Sequence, residues 1–218
     1  DHPQIGWDNF LEVFRNFGAG GPKAEISVAV PRDIALNLGV VSAGALVSGL
    51  TEDARLNTVS GDLIVDTHTG DLNVNTVSGD VQVHGLTGTA VANTVSGGVA
   101  VTGEVRKATI DSVSGAMLID ATGPVNTVSL NSVSGDATVR LDENLAANYV
   151  ARALSGRITI DGVPRGGSGP SNFTGSRGEL SGTFADVRVN TVSGDITVLR
   201  RDAAEGPVSF TADGEDLL

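Results

Sequence analysis

Three sets of side chains could carry chemistry in this chain. The first is a row of aspartates that each follow a glycine: Asp62, Asp71, Asp80, Asp136 and Asp195. Nine-residue Gly/Asp repeats hold Ca²⁺ in one class of β-roll, and Asp62 and Asp80 are the metal-site candidates, one repeat apart. Gly98 and Ala116 break the row, so solvated turn aspartates are the favoured reading. The second set is the three histidines, His2, His68 and His84, the only side chains that could serve a hydroxyl nucleophile as base. No nucleophile elbow surrounds them, and no catalytic residue is assigned. The third set is a series of paired hydroxyls, Thr58/Ser60, Thr76/Ser78, Thr94/Ser96, Ser112/Ser114, Ser132/Ser134 and Thr191/Ser193. On a straight strand these would form an outward hydroxyl ladder of the kind that binds ice or glycans.

All three sets belong to one repeat. Asn57 to Asp62 returns at Asn75 to Asp80, Asn93 to Gly98, Asp111 to Ala116, Asn131 to Asp136 and Asn190 to Asp195. The serines at 60, 78, 96 and 114 are 18 residues apart, and the spacing then loosens to Ser134, Ser155 and Ser193. After each glycine, apolar residues alternate: Leu63/Val65, Val81/Val83, Val99/Val101, Met117/Ile119. Period two means a strand with one buried face. Before each glycine, Val59, Val77, Val95, Val113, Val133, Leu154 and Val192 are expected to point inward as well.

The predicted fold is all-β: a single-stranded parallel β-helix, or β-solenoid, with coils of about 18 residues. A meander of hairpins turned by Gly-Asp is the alternative. Near-identical residues at every corner favour the parallel stack, where like sits on like. Asn57, Asn75, Asn93, Asn131 and Asn190 should form a ladder of side-chain amides. Gly61, Gly79, Gly97, Gly115, Gly135 and Gly194 should form the corner beside it. Eight or nine coils would span about 40 Å.

Residues 23–200 form the predicted solenoid domain, with a loop insertion at 162–178 rich in Gly and Pro. Residues 1–22 read as a short N-terminal amphipathic helix and linker that caps the stack, with Trp7, Phe10, Leu11, Phe14 and Phe17 at helical spacing. Residues 201–218 read as an acidic, disordered tail.

Composition narrows the function. The net charge is −12, from 26 acidic and 14 basic residues, which disfavours nucleic acid and anionic membrane surfaces. There is no cysteine, hence no thiolate chemistry and no disulfide. No apolar run reaches the ~18 residues of a transmembrane helix. The chain opens on Asp1 without an initiator methionine or signal-peptide pattern, as a trimmed sequence would.

The repeated Thr-Val-Ser-Gly-Asp, the lead-in Val28 to Pro31 and the closing Val189 to Ile196 resemble a bacterial family labelled as adhesins, a β-solenoid domain of uncharacterised role. The resemblance spans roughly 25–199. It implies a surface-associated, envelope-stress or cytoplasmic protein and supplies no catalytic residues. The expected function is a non-catalytic scaffold or binding module without a cofactor, whose partner is a protein, peptide or glycan. A self-assembling structural protein, stacking through its solenoid ends, is the first alternative. A Ca²⁺-, ice- or glycan-binding solenoid follows, and a polysaccharide-active enzyme comes last.

Overall fold

The computed structural model describes residues 28, 30–165, 169–178 and 184–201. The predicted N-terminal helix and the acidic tail (but for Arg201) lie outside the described residues. Every described element is a strand: β1 Leu36–Ser42, β2 Ala45–Ser48, β3 Ala54–Ser60, β4 Leu63–Ser78, β5 Val81–Ser96, β6 Val99–Ser114, β7 Met117–Ala121 and β8 Thr127–Ser134. There follow β9 Ala137–Asp142, β10 Ala147–Ser155, β11 Ile158–Ile160, β12 Val163–Pro164, β13 Ser171–Arg177, β14 Ala185–Ser193 and β15 Ile196–Arg201.

The pairing is parallel from coil to coil, as the solenoid reading requires and a hairpin meander forbids. Leu72 of β4 sits on Ala54 of β3, Asn75 on Asn57 and Ser78 on Ser60. The same register carries β5 onto β4, with Val81 on Leu63 and Asn93 on Asn75. Each coil thus has a first face ending at the corner serine and a second face starting two residues after the corner glycine. β4, β5 and β6 are long enough to run from the second face of one coil round to the first face of the next.

Between the faces lies a thin aliphatic core. Leu56, Val74, Ile110, Leu130 and Val189 face inward from the first face; Leu63, Val81, Val99, Met117 and Ile196 face inward from the second. Each contributes about 1.5–3 kcal/mol when fully buried. Aliphatic side chains fill nearly all of this core, in keeping with a chain whose residues are only 4% aromatic; Tyr149 of β10 is the buried exception among the described Phe, Tyr and Trp residues.

Space forces the glycine corner. At Gly97 the backbone has φ 122°, and an added Cβ would overlap the carbonyl oxygen of Gly79 in the coil below. The same overlap recurs at Gly115 over Gly97, Gly135 over Gly115 and Gly194 over Gly135.

Stacking order departs from chain order at the C-terminal end. On the first face β14 pairs with both β8 and β10, and on the second β15 pairs with both β9 and β11. The last coil of the chain is therefore inserted between two coils that precede it. The segment expected to be a loop, 162–178, holds β12 and β13. β13 runs antiparallel along β10, from Ala147 opposite Arg177 to Ala153 opposite Ser171. It covers the edge that β10 would otherwise expose, and an open edge is the aggregation risk of a stack like this. The excursion thus closes the array and brings the chain back to fill the gap behind it.

Candidate functional site

The motif residues occupy four columns along the first face and its corner. The innermost column is the hydroxyl one. Thr58, Thr76, Thr94 and Thr191 are 5% exposed, and Ser112 and Ser132 7%. The valines beside them are half exposed: Val59 49%, Val77 48%, Val95 49%, Val113 48%, Val133 51% and Val192 46%, with Leu154 at 58% and Val41 at 72%. This reverses the sequence expectation that the valines point in and the threonines out. The reason lies at the corner. Coil-to-coil pairing runs through Thr58–Thr76 and then resumes at Ser60–Ser78, passing over the valine. The strand bends there, so Val59 and Ser60 both face out, and alternation slips by one residue before Leu63 turns back in. The paired hydroxyls therefore form no flat outward face: of each pair the first is buried and the corner serine alone is exposed.

Next to the valines stands the asparagine column. Asn75 Nδ2 donates to Asn57 Oδ1 at 2.9 Å, Asn93 to Asn75 at 2.9 Å, Asn131 to Asp111 Oδ1 at 2.8 Å and Asn190 to Asn131 at 2.9 Å. Asp111 enters the ladder as an acceptor, and Arg152 takes the same register beyond Asn190. Between this column and the valine ridge, over the backbone of the buried hydroxyl residues, runs a shallow groove. One stretch of it, of about 550 Å³, reaches from Gly39 and Val41 to Asn93 and Val95. A second, of about 700 Å³, continues from Asn93 to Arg152 and Leu154 and is flanked there by Pro170 and Asn172.

The corner aspartates have a backbone task. Asp80 N donates to Asp62 Oδ1 at 2.9 Å, and Gly98 N to Asp80 Oδ1 at 2.7 Å. Asp195 N donates to Asp136 Oδ1 at 2.8 Å, and Arg157 N to Asp195 Oδ1 at 2.8 Å. Each of these carboxylates binds the amide of the coil above through one oxygen, and the second oxygen of Asp195 also pairs with the Arg157 guanidinium at 3.2 Å. Among the described residues, no three His, Asp or Glu side chains converge on a metal-sized site.

The two described histidines are separated by environment. His68 is 1% exposed, in register with Leu86 of the next coil, whereas His84 is partly exposed and sits over Asp66. Burial lowers the pKa of His68 below its usual value, against the opposing pull of the Asp71 backbone and the carboxylates of Asp53 and Asp71. His68 therefore packs as a neutral core side chain.

Sequence reading missed the ionic clamp on the second face. Arg201 bonds buried Asp120, and its other nitrogen donates to Asp142 Oδ1 at 3.0 Å. Arg140 stands 4.0 Å from Asp120. Nothing in the repeat announced this cluster, because Asp120, Asp142 and Arg201 come together only through the insertion of the last coil. A second cluster at the capped end joins Tyr149 to Arg200, whose Nη2 donates to the phenol at 2.9 Å, and Arg177 to Asp161.

No curated protein and no solved structure matches the chain. A family match covers residues 9–199, well over half of its length. The ladders, the glycine corner and the parallel coils all fall within that span, and the chain belongs to the Toastrack DUF4097 family.

Proposed function

We propose that this chain is a non-catalytic scaffold and binding module, adhesin-like or envelope-stress-sensing, that engages a cationic peptide or protein segment through its first coils. The observation that carries this reading is the uneven distribution of charge along the stack. Between residues 45 and 100 the acids are Glu52, Asp53, Asp62, Asp66, Asp71 and Asp80, all exposed, and the only Lys or Arg is Arg55. From 101 to 201 acidic and basic residues balance, at ten each. One end of the stack therefore projects a negative field while the rest is neutral. Such a field accelerates encounter with a cationic partner and fades with salt over a Debye length of about 8 Å at physiological strength.

A catalytic reading has little to build on. His68 is sealed in the core, and the aspartates at the corners are bound to backbone amides. Regular coils locked by hydrogen-bonded ladders suit presentation of a surface rather than movement around a substrate.

The test is binding of a fluorescein-labelled Lys/Arg-rich peptide, followed by anisotropy across a salt series. Binding that weakens steadily with salt and drops in the triple variant Glu52→Gln, Asp66→Asn, Asp71→Asn supports the proposal. Absence of binding at low salt, or binding indifferent to both salt and the variant, removes it.

A further inference from the structure

The first face carries an apolar ridge and, parallel to it, a groove of the same length. We infer that this face is the contact surface of a homodimer, in which the valine ridge of each copy seats in the groove of the other. This goes beyond the peptide-binding reading and uses a different surface.

Three observations point to a second copy as the occupant. The first is period. Ridge side chains recur once per coil, about 4.8 Å apart, and only a partner with the same repeat can meet every one of them in step. A second copy of this chain has that repeat by construction. The second is self-complementarity. A two-fold axis parallel to the stack, midway between ridge and groove, places each ridge in the opposite groove with every coil level with its counterpart. An isologous contact of this kind closes on itself and stops at two copies. The third is charge. The valine and serine columns contain no charged residue, and the asparagine column contains only Asp111 and Arg152. The same axis lays that column against the partner's serine column, so no like charges meet. A chain with net charge −12 can approach its own copy closely only where its surface is neutral.

The area is sufficient. Eight rungs of strand span about 34 Å, and the columns from asparagine to serine, with the strand leading into them, extend roughly 17 Å. The projected area is on the order of 600 Å², and the corrugated accessible surface exceeds its projection, approaching the ~800 Å² per partner of a stable interface. At its centre the ridge from Val41 through Val95 and Val192 to Leu154 makes one unbroken apolar row, where a monomer's exposed aliphatic side chains are ordinarily scattered.

Sedimentation velocity on the full chain over a concentration series decides the matter. The expected result is a dimer for the unaltered chain and a monomer for Val95→Lys, at least 100-fold weaker in association, with unchanged circular dichroism and melting. Val95 is half exposed, so the folded monomer should tolerate the change. If it does not, the triple variant Val77→Thr, Val95→Thr, Val113→Thr keeps β-branched shape and strand propensity while removing the apolar ridge. A chain that stays monomeric at the highest concentration overturns the inference, and so does a dimer that survives these variants.

Geometry is tested separately. The chain has no cysteine, so Val95→Cys introduces a single thiol. In the proposed dimer the two copies of this residue flank the axis at the same level and should form an inter-chain disulfide under mild oxidation. End-to-end stacking would hold them a stack's length apart, and a dimer that does not cross-link overturns the face-to-face arrangement. Peptide binding at the acidic coils should be unaltered by the charge-neutral triple variant Val77→Thr, Val95→Thr, Val113→Thr, so failure of either proposal is visible independently of the other.

Discussion

Asn190 Nδ2 donates to Asn131 Oδ1 at 2.9 Å across 59 residues of sequence, repeating the bond that links Asn75 to Asn57 across 18. The ladder continues as though nothing had happened to the chain between them. Yet β9 through β13 lie between those two asparagines in sequence, and β10 ends up on the far side of Asn190 in space. Local similarity of the coils makes this possible. The coils of this chain share one backbone register, so the inserted coil pairs through its strands with both neighbours as a sequential one would. The remaining question is what selects this order, and Arg201 supplies an answer.

Arg201 lies at the end of the inserted coil and bonds Asp120 and Asp142 in coils laid down earlier. Both Asp120 and Arg201 are buried, at 2% and 8% exposure. Breaking a buried pair by removing one partner strands the other charge and costs about 3–5 kcal/mol. Arg201→Met should lower the urea midpoint accordingly. The double variant Asp120→Asn, Arg201→Met should recover part of the loss, because the buried carboxylate is no longer charged. Equal losses in the single and double variants would mean that the ion pair is not the clamp.

The glycine corner should be intolerant in a position-specific way. Gly97→Ala forces a Cβ against the carbonyl of Gly79 at a φ of 122°, combining backbone strain with overpacking. A loss of about 3 kcal/mol or more is expected. Gly39 sits in the asparagine column with open space around it, so Gly39→Ala should change stability by less than about 0.5 kcal/mol. Thermal melts of the two variants, compared with the parent, read the difference directly.

The buried hydroxyl column offers room for improvement. Thr76 Oγ1 lies inside the coil without a hydrogen-bond partner. Valine has the same shape without the polar atom, so Thr76→Val should stabilise the fold by about 1 kcal/mol, a rise of roughly 2–4 °C in Tm. Calorimetry showing a lower Tm would mean that the hydroxyl is bonded in solution.

Much of the fold was legible because identical residues recur at a fixed interval. Asn57, Asn75 and Asn93 at 18-residue spacing could stack only in parallel register, and Gly61, Gly79 and Gly97 beside them marked the corner. The orientation of Val59 and Thr58 was not legible. Period two was extrapolated through the corner, and the bend there adds a residue that inverts the parity. A period of two carried straight through the corner places the ridge in the core, so the exposed face is not visible in the sequence. The insertion of the last coil left only a faint trace, the lengthened interval between Ser155 and Ser193, which reads equally as a surface loop. Interchangeable coils carry no information about their order. Only the non-repeated residues, Asp120 and Arg201 among them, distinguish one order from another.

His68 should make the fold sensitive to mild acid. Its ring is buried, and desolvation holds its folded pKa below the unfolded value of about 6.5, the nearby Asp53 and Asp71 carboxylates opposing this only in part. Below pH ~6.5 the unfolded chain therefore binds a proton that the folded chain still refuses. Stability falls as pH drops through this window, with a slope of at most about 1.4 kcal/mol per pH unit, and the slope levels off once the folded pKa is passed. Above pH 7 both states are neutral and the contribution is flat. Between pH 7.5 and 5.5 the contribution of His68 is read by comparison with a variant that lacks it, since the chain holds two other histidines. In the next coil the same register is held by Leu86, which makes His68→Leu a conservative replacement in shape and position. Urea midpoints measured at half-unit steps should decline from pH 7 to 5.5 in the parent and stay level in His68→Leu. A parallel decline in both would assign the acid sensitivity to another group and would mean that His68 is solvated or satisfied in the fold.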